Sequence, residues 1–113
     1  AVARCSKTDW HEIDDVAVLM QMLNTTRAVT KSRNISRDAS LARVLPLCPS
    51  PIAGIWGEFD ATTSPFTHER QELLRSVQPG CPFHTIPEAG HWAMYERPDA
   101  FNETLLGLLR SFD

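Results

Sequence analysis

The chain contains 113 residues, 42% of them hydrophobic and 22% charged, and carries a net charge of −3 at pH 7. This length suits one small domain, and the composition is that of a folded globular protein. Acidic and basic residues are mixed along the chain, and the apolar runs fall far short of the roughly 20 residues of a membrane-spanning helix, so we expect neither nucleic acid nor a membrane as a partner.

A helix is predicted near the beginning of the chain. Asp9 and Glu12 have the spacing of a capping box, which indicates that the helix begins near Trp10. Apolar residues then recur at steps of three and four as far as about Ala28, as on the buried face of an amphipathic helix.

A second, shorter helix should begin after Ser36 or Asp38, since either side chain can cap its first turn. The three prolines of residues 46–51 then interrupt regular structure. We therefore predict a helical segment over residues 1–47 and a core that contains the sheet over residues 48–113.

A strand, a helix and a second strand are predicted next. Residues 52–56 (IAGIW) are apolar on both faces, as in a parallel strand covered by helices. Ser64 before Pro65 indicates the start of a helix, and residues 83–86 form the second strand. A strand–helix–strand unit of this kind crosses over right-handed and makes its two strands parallel.

The chain should close with an amphipathic helix. Pro98 suits the first helical position, and large apolar residues follow at steps of four, three and four: Phe101, Leu105, Leu108 and Phe112. The predicted fold class is α/β, with two parallel strands, flanking helices and further helices before the sheet.

One ionisable residue after each strand stands out as a candidate for catalysis. Asp60 follows the first strand and His91 follows the second. Because the carboxyl ends of parallel strands share one edge of the sheet, we expect these two side chains to meet there. A carboxylate that orients an imidazole is the arrangement that activates a nucleophile in hydrolases.

Other side chains near these loops have competing interpretations. Glu58 is the alternative acid but falls earlier in the turn, and Trp92 either lines the substrate cavity or packs against the closing helix. Residues for which we expect structural or solvent-exposed roles are His11, His68, His84, Ser64 as a helix cap, and Glu96 with Arg97 as an ion pair at a helix entry.

Three tracts resemble the C-terminal part of the α/β-hydrolase family: GEFD after the first strand, PEAGHW after the second, and ERPDAFN at the start of the last helix. In that family the chain order is nucleophile, acid and histidine. The resemblance implies that Asp60 is the acid and His91 the base. It covers residues 46–113, and the preceding helices look like the end of the family's cap region.

The sequence departs from that family in one major respect. The G-x-S-x-G motif that carries the nucleophile occurs nowhere in these residues. We therefore expect the nucleophile, a serine or an aspartate, to lie outside this sequence, and we expect the chain alone to lack normal hydrolase activity.

The resemblance implies that the parent enzyme cleaves an ester, or a carbon–carbon bond next to a carbonyl, in a small molecule. GHWAMYERPDAFN is similar to hydrolases that open aromatic-ring cleavage products, and also to esterases and dehalogenases. The alternative is a non-catalytic relative used for binding, in which Asp60 and His91 are only a structural pair.

Three cysteines, Cys5, Cys48 and Cys81, lack the spacing of a zinc site or of a disulfide framework. We expect no metal, no cofactor and a cytoplasmic location. The chain opens at Ala1 without a signal sequence, which indicates a piece of a longer protein. Its small sheet should leave an edge exposed, which favours self-association or pairing with the missing N-terminal part.

Overall fold

The computed structural model describes residues 13–29 and 39–112. Its elements in chain order are α1 (Asp15–Arg27), α2 (Ser40–Val44), a 3-10 helix (Leu45–Leu47), β1 (Gly54–Gly57), α3 (Thr67–Val77), β2 (Phe83–Ile86), α4 (Ala93–Glu96) and α5 (Pro98–Ser111). The chain is therefore mixed α/β, as predicted. None of the helices in these two ranges is both long enough and apolar enough to cross a membrane.

The two strands are parallel and pair in register from Gly54 opposite Phe83 to Gly57 opposite Ile86. The second strand has the predicted bounds, but the first begins two residues later than position 52. The reason is that the peptide groups of Ile52 are engaged elsewhere: its N–H donates to the Gln78 side chain at 2.9 Å, and its carbonyl accepts from a cysteine thiol.

The core lies between the sheet and the two C-terminal helices. Ile86, Ala89 and Ala93 are buried together, and half-buried apolar side chains from β1 and α5 pack against them, among them Phe101. The closing helix begins at Pro98 as predicted and buries Leu108 on its inner face. This core lies directly below the loops that leave the carboxyl ends of the strands.

The first helix of the described residues, α1, begins at Asp15, and the predicted helix start near Trp10 lies outside those residues. Ile13 and Asp14 are not helical, and Asp14 is the N-cap of α1, where its carboxylate accepts the N–H of Ala17 at 2.8 Å. The proposed capping box at Asp9 lies outside the described residues, as do the candidate caps of the second helix, Ser36 and Asp38.

The prediction that Ser64 caps a helix is wrong. Helix α3 begins at Thr67, and no side chain caps it. The backbone N–H of Ser64 donates to the carbonyl of Asp60 at 2.7 Å, and that of Phe66 donates to Thr63 at 2.7 Å. These consecutive turns occupy the segment before the helix, so Ser64 belongs to the turn that follows Asp60.

Several large apolar side chains face solvent on the two longest helices. The side chains of α1 and α5 that are about half exposed are Val16, Val18, Leu19, Met22, Leu106 and Leu109. A monomeric soluble protein rarely leaves large contiguous apolar patches uncovered.

Candidate functional site

Backbone hydrogen bonds hold the two loops after the strands against each other. Past the end of β1, the N–H of Glu58 donates to the carbonyl of Ile86 at 3.0 Å, and the N–H of Phe59 donates to that of Ala89 at 2.8 Å. The Glu58 carboxylate accepts the N–H of Glu88 at 3.0 Å. Glu58 therefore joins the two loops, and the carboxylate that reaches His91 belongs to Asp60.

The last residue of β1 has to be a glycine for the loops to approach this closely. A Cβ atom on Gly57 would run into the backbone carbonyl oxygens of Ala89 and Gly90. Neither oxygen can move without shifting the loop that carries His91. The glycine thus allows the second loop to cross the end of the first strand.

Asp60 and His91 meet at this edge of the sheet. Nδ1 of His91 lies 3.0 Å from Oδ2 of Asp60. The Asp60 side chain is only 5% exposed, whereas that of His91 is 45% exposed. The carboxylate is therefore enclosed by protein, while the imidazole extends from it toward solvent.

Thr62 orients the carboxylate from its other oxygen. Oδ1 of Asp60 accepts the backbone N–H of Thr62 at 2.8 Å and its hydroxyl at 2.7 Å. The same hydroxyl oxygen lies 3.3 Å from Nδ1 of His91. Sequence reasoning missed Thr62, although an aspartate that bonds to the N–H two residues later is a known turn pattern that could have indicated it.

The charge state of Asp60 follows from these contacts. Burial by itself would raise the pKa of the Asp60 carboxyl, but the hydrogen bonds from His91 and Thr62, with the attraction of His91, lower the pKa below its usual value. The carboxylate is therefore ionised at neutral pH and can only accept hydrogen bonds. Nδ1 of neutral His91 must carry the proton, which leaves the lone pair of Nε2 available.

Glu96 holds the loop on both sides of His91. Its Oε2 accepts the N–H of Gly90 at 2.6 Å, and its Oε1 accepts the N–H of Trp92 at 3.1 Å. Sequence reasoning predicted only an ion pair at the helix entry and missed these contacts. The guanidinium of Arg97 lies 3.9 Å from the carboxylate of Glu88.

A cavity of about 230 Å³ adjoins the pair. Asp60, Thr62 and His91 line it on the polar side, and most of the other walls are apolar. The apolar side chains that line this cavity are Ile55, Trp56, Ala93, Met94 and Phe101. A reacting group placed here would have a polar pair on one side and an apolar surface on the other.

Trp92 does not line this cavity. Its ring packs edge-on against Tyr95, with the ring centroids 6.2 Å apart. A role for Trp92 in substrate binding stays a prediction. Its packing against the closing helix stays a prediction too, because Tyr95 belongs to α4.

The remaining candidates lie away from this edge. His68 is exposed on α3 and His84 is exposed on β2. Cys48 is exposed and Cys81 is buried, both before the strands rather than after them. His11 and Cys5 lie outside the described residues. In the part of the chain that the structure describes, no cluster of three side chains could hold a metal ion.

Comparisons with protein-family models, with curated proteins and with solved structures gave no match for this chain.

Proposed function

We propose that this chain supplies the acid and the base of a hydrolase catalytic triad, with Asp60 as the acid and His91 as the base. The observation that carries the proposal is the 3.0 Å separation between Nδ1 of His91 and Oδ2 of Asp60. Two residues 31 positions apart meet there because each follows one of two parallel strands.

The chemistry follows from the position of the imidazole proton. With Nδ1–H bonded to Asp60, Nε2 of His91 takes the proton from the nucleophile's hydroxyl as that oxygen bonds to the substrate carbonyl carbon. Nε2 then gives the same proton to the leaving group as its bond to that carbon breaks. The ionised Asp60 stabilises the imidazolium that exists between these two steps.

The order of acid and base along the chain supports an α/β-hydrolase fold, whose C-terminal part these residues would form. In that fold the acid and the histidine follow successive strands in this order. The helices of residues 1–47 would then belong to the end of a cap.

The nucleophile has to come from a separate segment. G-x-S-x-G does not occur in the 113 residues. Within the described ranges, the imidazole of His91 bonds to Asp60 and Thr62, and neither is a serine or a cysteine. We therefore expect no hydrolysis above background from this chain alone.

The cavity beside the pair supports a small and mostly apolar substrate with a carbonyl group. A volume of about 230 Å³ is small for a site that encloses a whole ligand. The rest of the enzyme would complete the pocket. We propose an ester, or a carbon–carbon bond next to a carbonyl, as the bond that is cleaved.

The test begins with the complete coding sequence that contains this segment. We expect a G-x-S-x-G motif upstream of Asp60, and we expect the full protein to hydrolyse short-chain nitrophenyl esters. His91→Ala should lower kcat by roughly 10³ or more, as the loss of a triad member does, while His84→Ala on the exposed face of β2 should retain full activity. Glycine or alanine in place of the nucleophile, with no ester hydrolysis, would favour a structural pair in a binding protein. An unchanged kcat in His91→Ala would show that His91 is not the base and would contradict the proposal.

The exposed apolar surfaces support association with another chain. In the part of the chain that the structure describes, β1 and β2 form a sheet of two strands, and half-exposed apolar side chains line α1 and α5. We propose that the chain self-associates through the free edge of this sheet, or pairs there with the rest of the parent protein. Size-exclusion chromatography with light scattering should give a mass above 12.7 kDa, and a monodisperse monomer would contradict self-association.

A further inference from the structure

We infer that Glu96 is a positioning residue for His91, an inference that rests on the function proposed above. The side chain of Glu96 reaches back along the chain and binds the backbone on each side of His91. Its carboxylate accepts the N–H of Gly90 at 2.6 Å and the N–H of Trp92 at 3.1 Å. His91 itself is bracketed by these two contacts.

The geometry of α4 explains why residue 96 reaches this loop. Trp92 is the N-cap of α4, and its carbonyl accepts the backbone N–H of Glu96 at 2.9 Å. In turn, the N–H of Trp92 donates to the Glu96 carboxylate. This contact resembles one half of a capping box, in which a glutamate of the first turn accepts the N-cap N–H, although Glu96 is the fourth helical residue and the motif uses the third.

The second contact extends this anchor beyond the helix. Gly90 precedes His91, is itself buried, and has the backbone against which Gly57 packs. Helix α4 contains only four residues, so the Glu96 contacts add to the few backbone hydrogen bonds of this segment. A carboxylate that accepts two backbone N–H groups forms charge-assisted hydrogen bonds, which are shorter and stronger than neutral ones.

By binding the backbone on both sides of His91, Glu96 limits the movement of the exposed imidazole. His91 is 45% exposed, and the only side chains in the described residues to which it bonds are those of Asp60 and Thr62. Fixing its backbone on both sides keeps Nδ1 within reach of Oδ2 of Asp60, so that Nε2 holds one direction relative to the cavity. A loop free to shift by an ångström would lose that alignment.

The test compares Glu96→Ala and Glu96→Gln with the matched control Glu88→Gln. Glu88 belongs to the same loop, but its side chain is 77% exposed and its recorded partner is Arg97 at 3.9 Å. NMR would follow the exchange of the His91 Nδ1 proton with water and of the Gly90 and Trp92 amide protons. In Glu96→Ala we expect all three to exchange about tenfold faster or more, because each bond to a charged group is worth about that factor. Glu96→Gln should give an intermediate rate, because its amide retains one acceptor oxygen, and Glu88→Gln should match the wild type.

A mutation-free measurement keeps the inference testable if Glu96→Ala unfolds. In the wild-type chain, NMR couplings across the two hydrogen bonds should connect the amide nitrogens of Gly90 and Trp92 to the Glu96 side-chain carboxyl carbon. Absence of both couplings, or Glu96 variants in which the Nδ1 proton exchanges at the wild-type rate, would overturn the role of Glu96. An Nδ1 proton bonded to Asp60 in every variant would leave the proposed function intact, whereas its absence from the wild type would remove that function whatever Glu96 does.

In the full enzyme the same role predicts a specific kinetic pattern. Glu96→Ala should lower kcat while KM changes little, since Glu96 acts through His91 and does not line the substrate cavity. A rise in KM with kcat unchanged would contradict positioning of the base.

Discussion

Replacing Asp60 with asparagine should destabilise the chain by an amount that depends on pH. The carboxylate accepts three hydrogen bonds: one from His91, one from the backbone N–H of Thr62 and one from the Thr62 hydroxyl. A hydrogen bond to a charged group contributes roughly 1 kcal/mol more than a neutral one, so Asp60→Asn should lower the free energy of unfolding by about 2–4 kcal/mol at pH 7. The amide can still accept at Oδ1, which is why the loss stays below that of removing the side chain.

The sign of the pH dependence follows from the pKa of Asp60. Hydrogen bonds from His91 and Thr62 outweigh burial and hold this pKa below its value in the unfolded chain, which is about 3.9. The stabilisation is therefore complete above the unfolded pKa and is lost as the pH falls through the lower folded pKa. The difference between wild type and Asp60→Asn should be present at about pH 5 and above and should shrink below about pH 4.

Urea unfolding, followed by tryptophan fluorescence at pH 7, 5, 4 and 3, measures this difference. Glu103→Gln is the matched control, because it removes one carboxylate from an exposed position of α5. We expect that control to stay within about 0.5 kcal/mol of the wild type at pH 7. If Asp60→Asn is as stable as the control, or if the difference persists unchanged at pH 3, the three hydrogen bonds to the ionised carboxylate do not stabilise the chain.

Further predictions concern the residues around the pair. Gly57→Ala should destabilise the chain by about 1–3 kcal/mol in thermal unfolding, because its Cβ meets the backbone of Ala89 and Gly90. Gly107→Ala, where a Cβ meets nothing within 4 Å, should instead stabilise α5 by about 0.5–1 kcal/mol. Equal effects of the two substitutions would contradict the close approach of the loop to Gly57. Thr62→Val should raise the pKa of Asp60 in a carbon-13 NMR titration, since the hydroxyl bond that lowers it is lost, whereas Thr85→Val on β2 should leave it unchanged. Tyr95→Phe should raise the pKa of Asp14, because the 2.6 Å hydrogen bond from the Tyr95 hydroxyl is the main cause that lowers this pKa. No change in the Asp14 titration would show that this hydrogen bond between α4 and the N-cap of α1 does not form in solution.

The positions of Asp60 and His91 could be predicted because they follow from the parallel pairing of two strands. Sequence periodicity located β2 and α5, and the rule that strand ends share an edge then brought the two residues together. Their proximity did not require knowledge of any other side chain.

The supporting side chains were harder to predict because their contacts depend on loop geometry. Glu96 is a polar residue of common type, and nothing in the sequence around it distinguishes a bond to a backbone N–H from exposure to solvent. Thr62 had a weak signal, because it lies two residues after Asp60 as in an Asx turn. The prediction that Ser64 caps α3 was wrong for the same reason. The turns after Asp60 use the backbone N–H of Ser64, and α3 begins only at Thr67. Hydrogen bonds that form only in the folded loops override the local preference of Ser64 for a helix start.

The tautomer of His91 in the wild-type chain tests the proposed catalytic pair without any mutation, and long-range proton–nitrogen NMR correlations at a pH where the imidazole is neutral determine it. We predict that the proton resides on Nδ1, bonded to Asp60, and that Nε2 is unprotonated. A neutral imidazole with its proton on Nε2 would contradict it, because that nitrogen could not then accept a proton from a nucleophile.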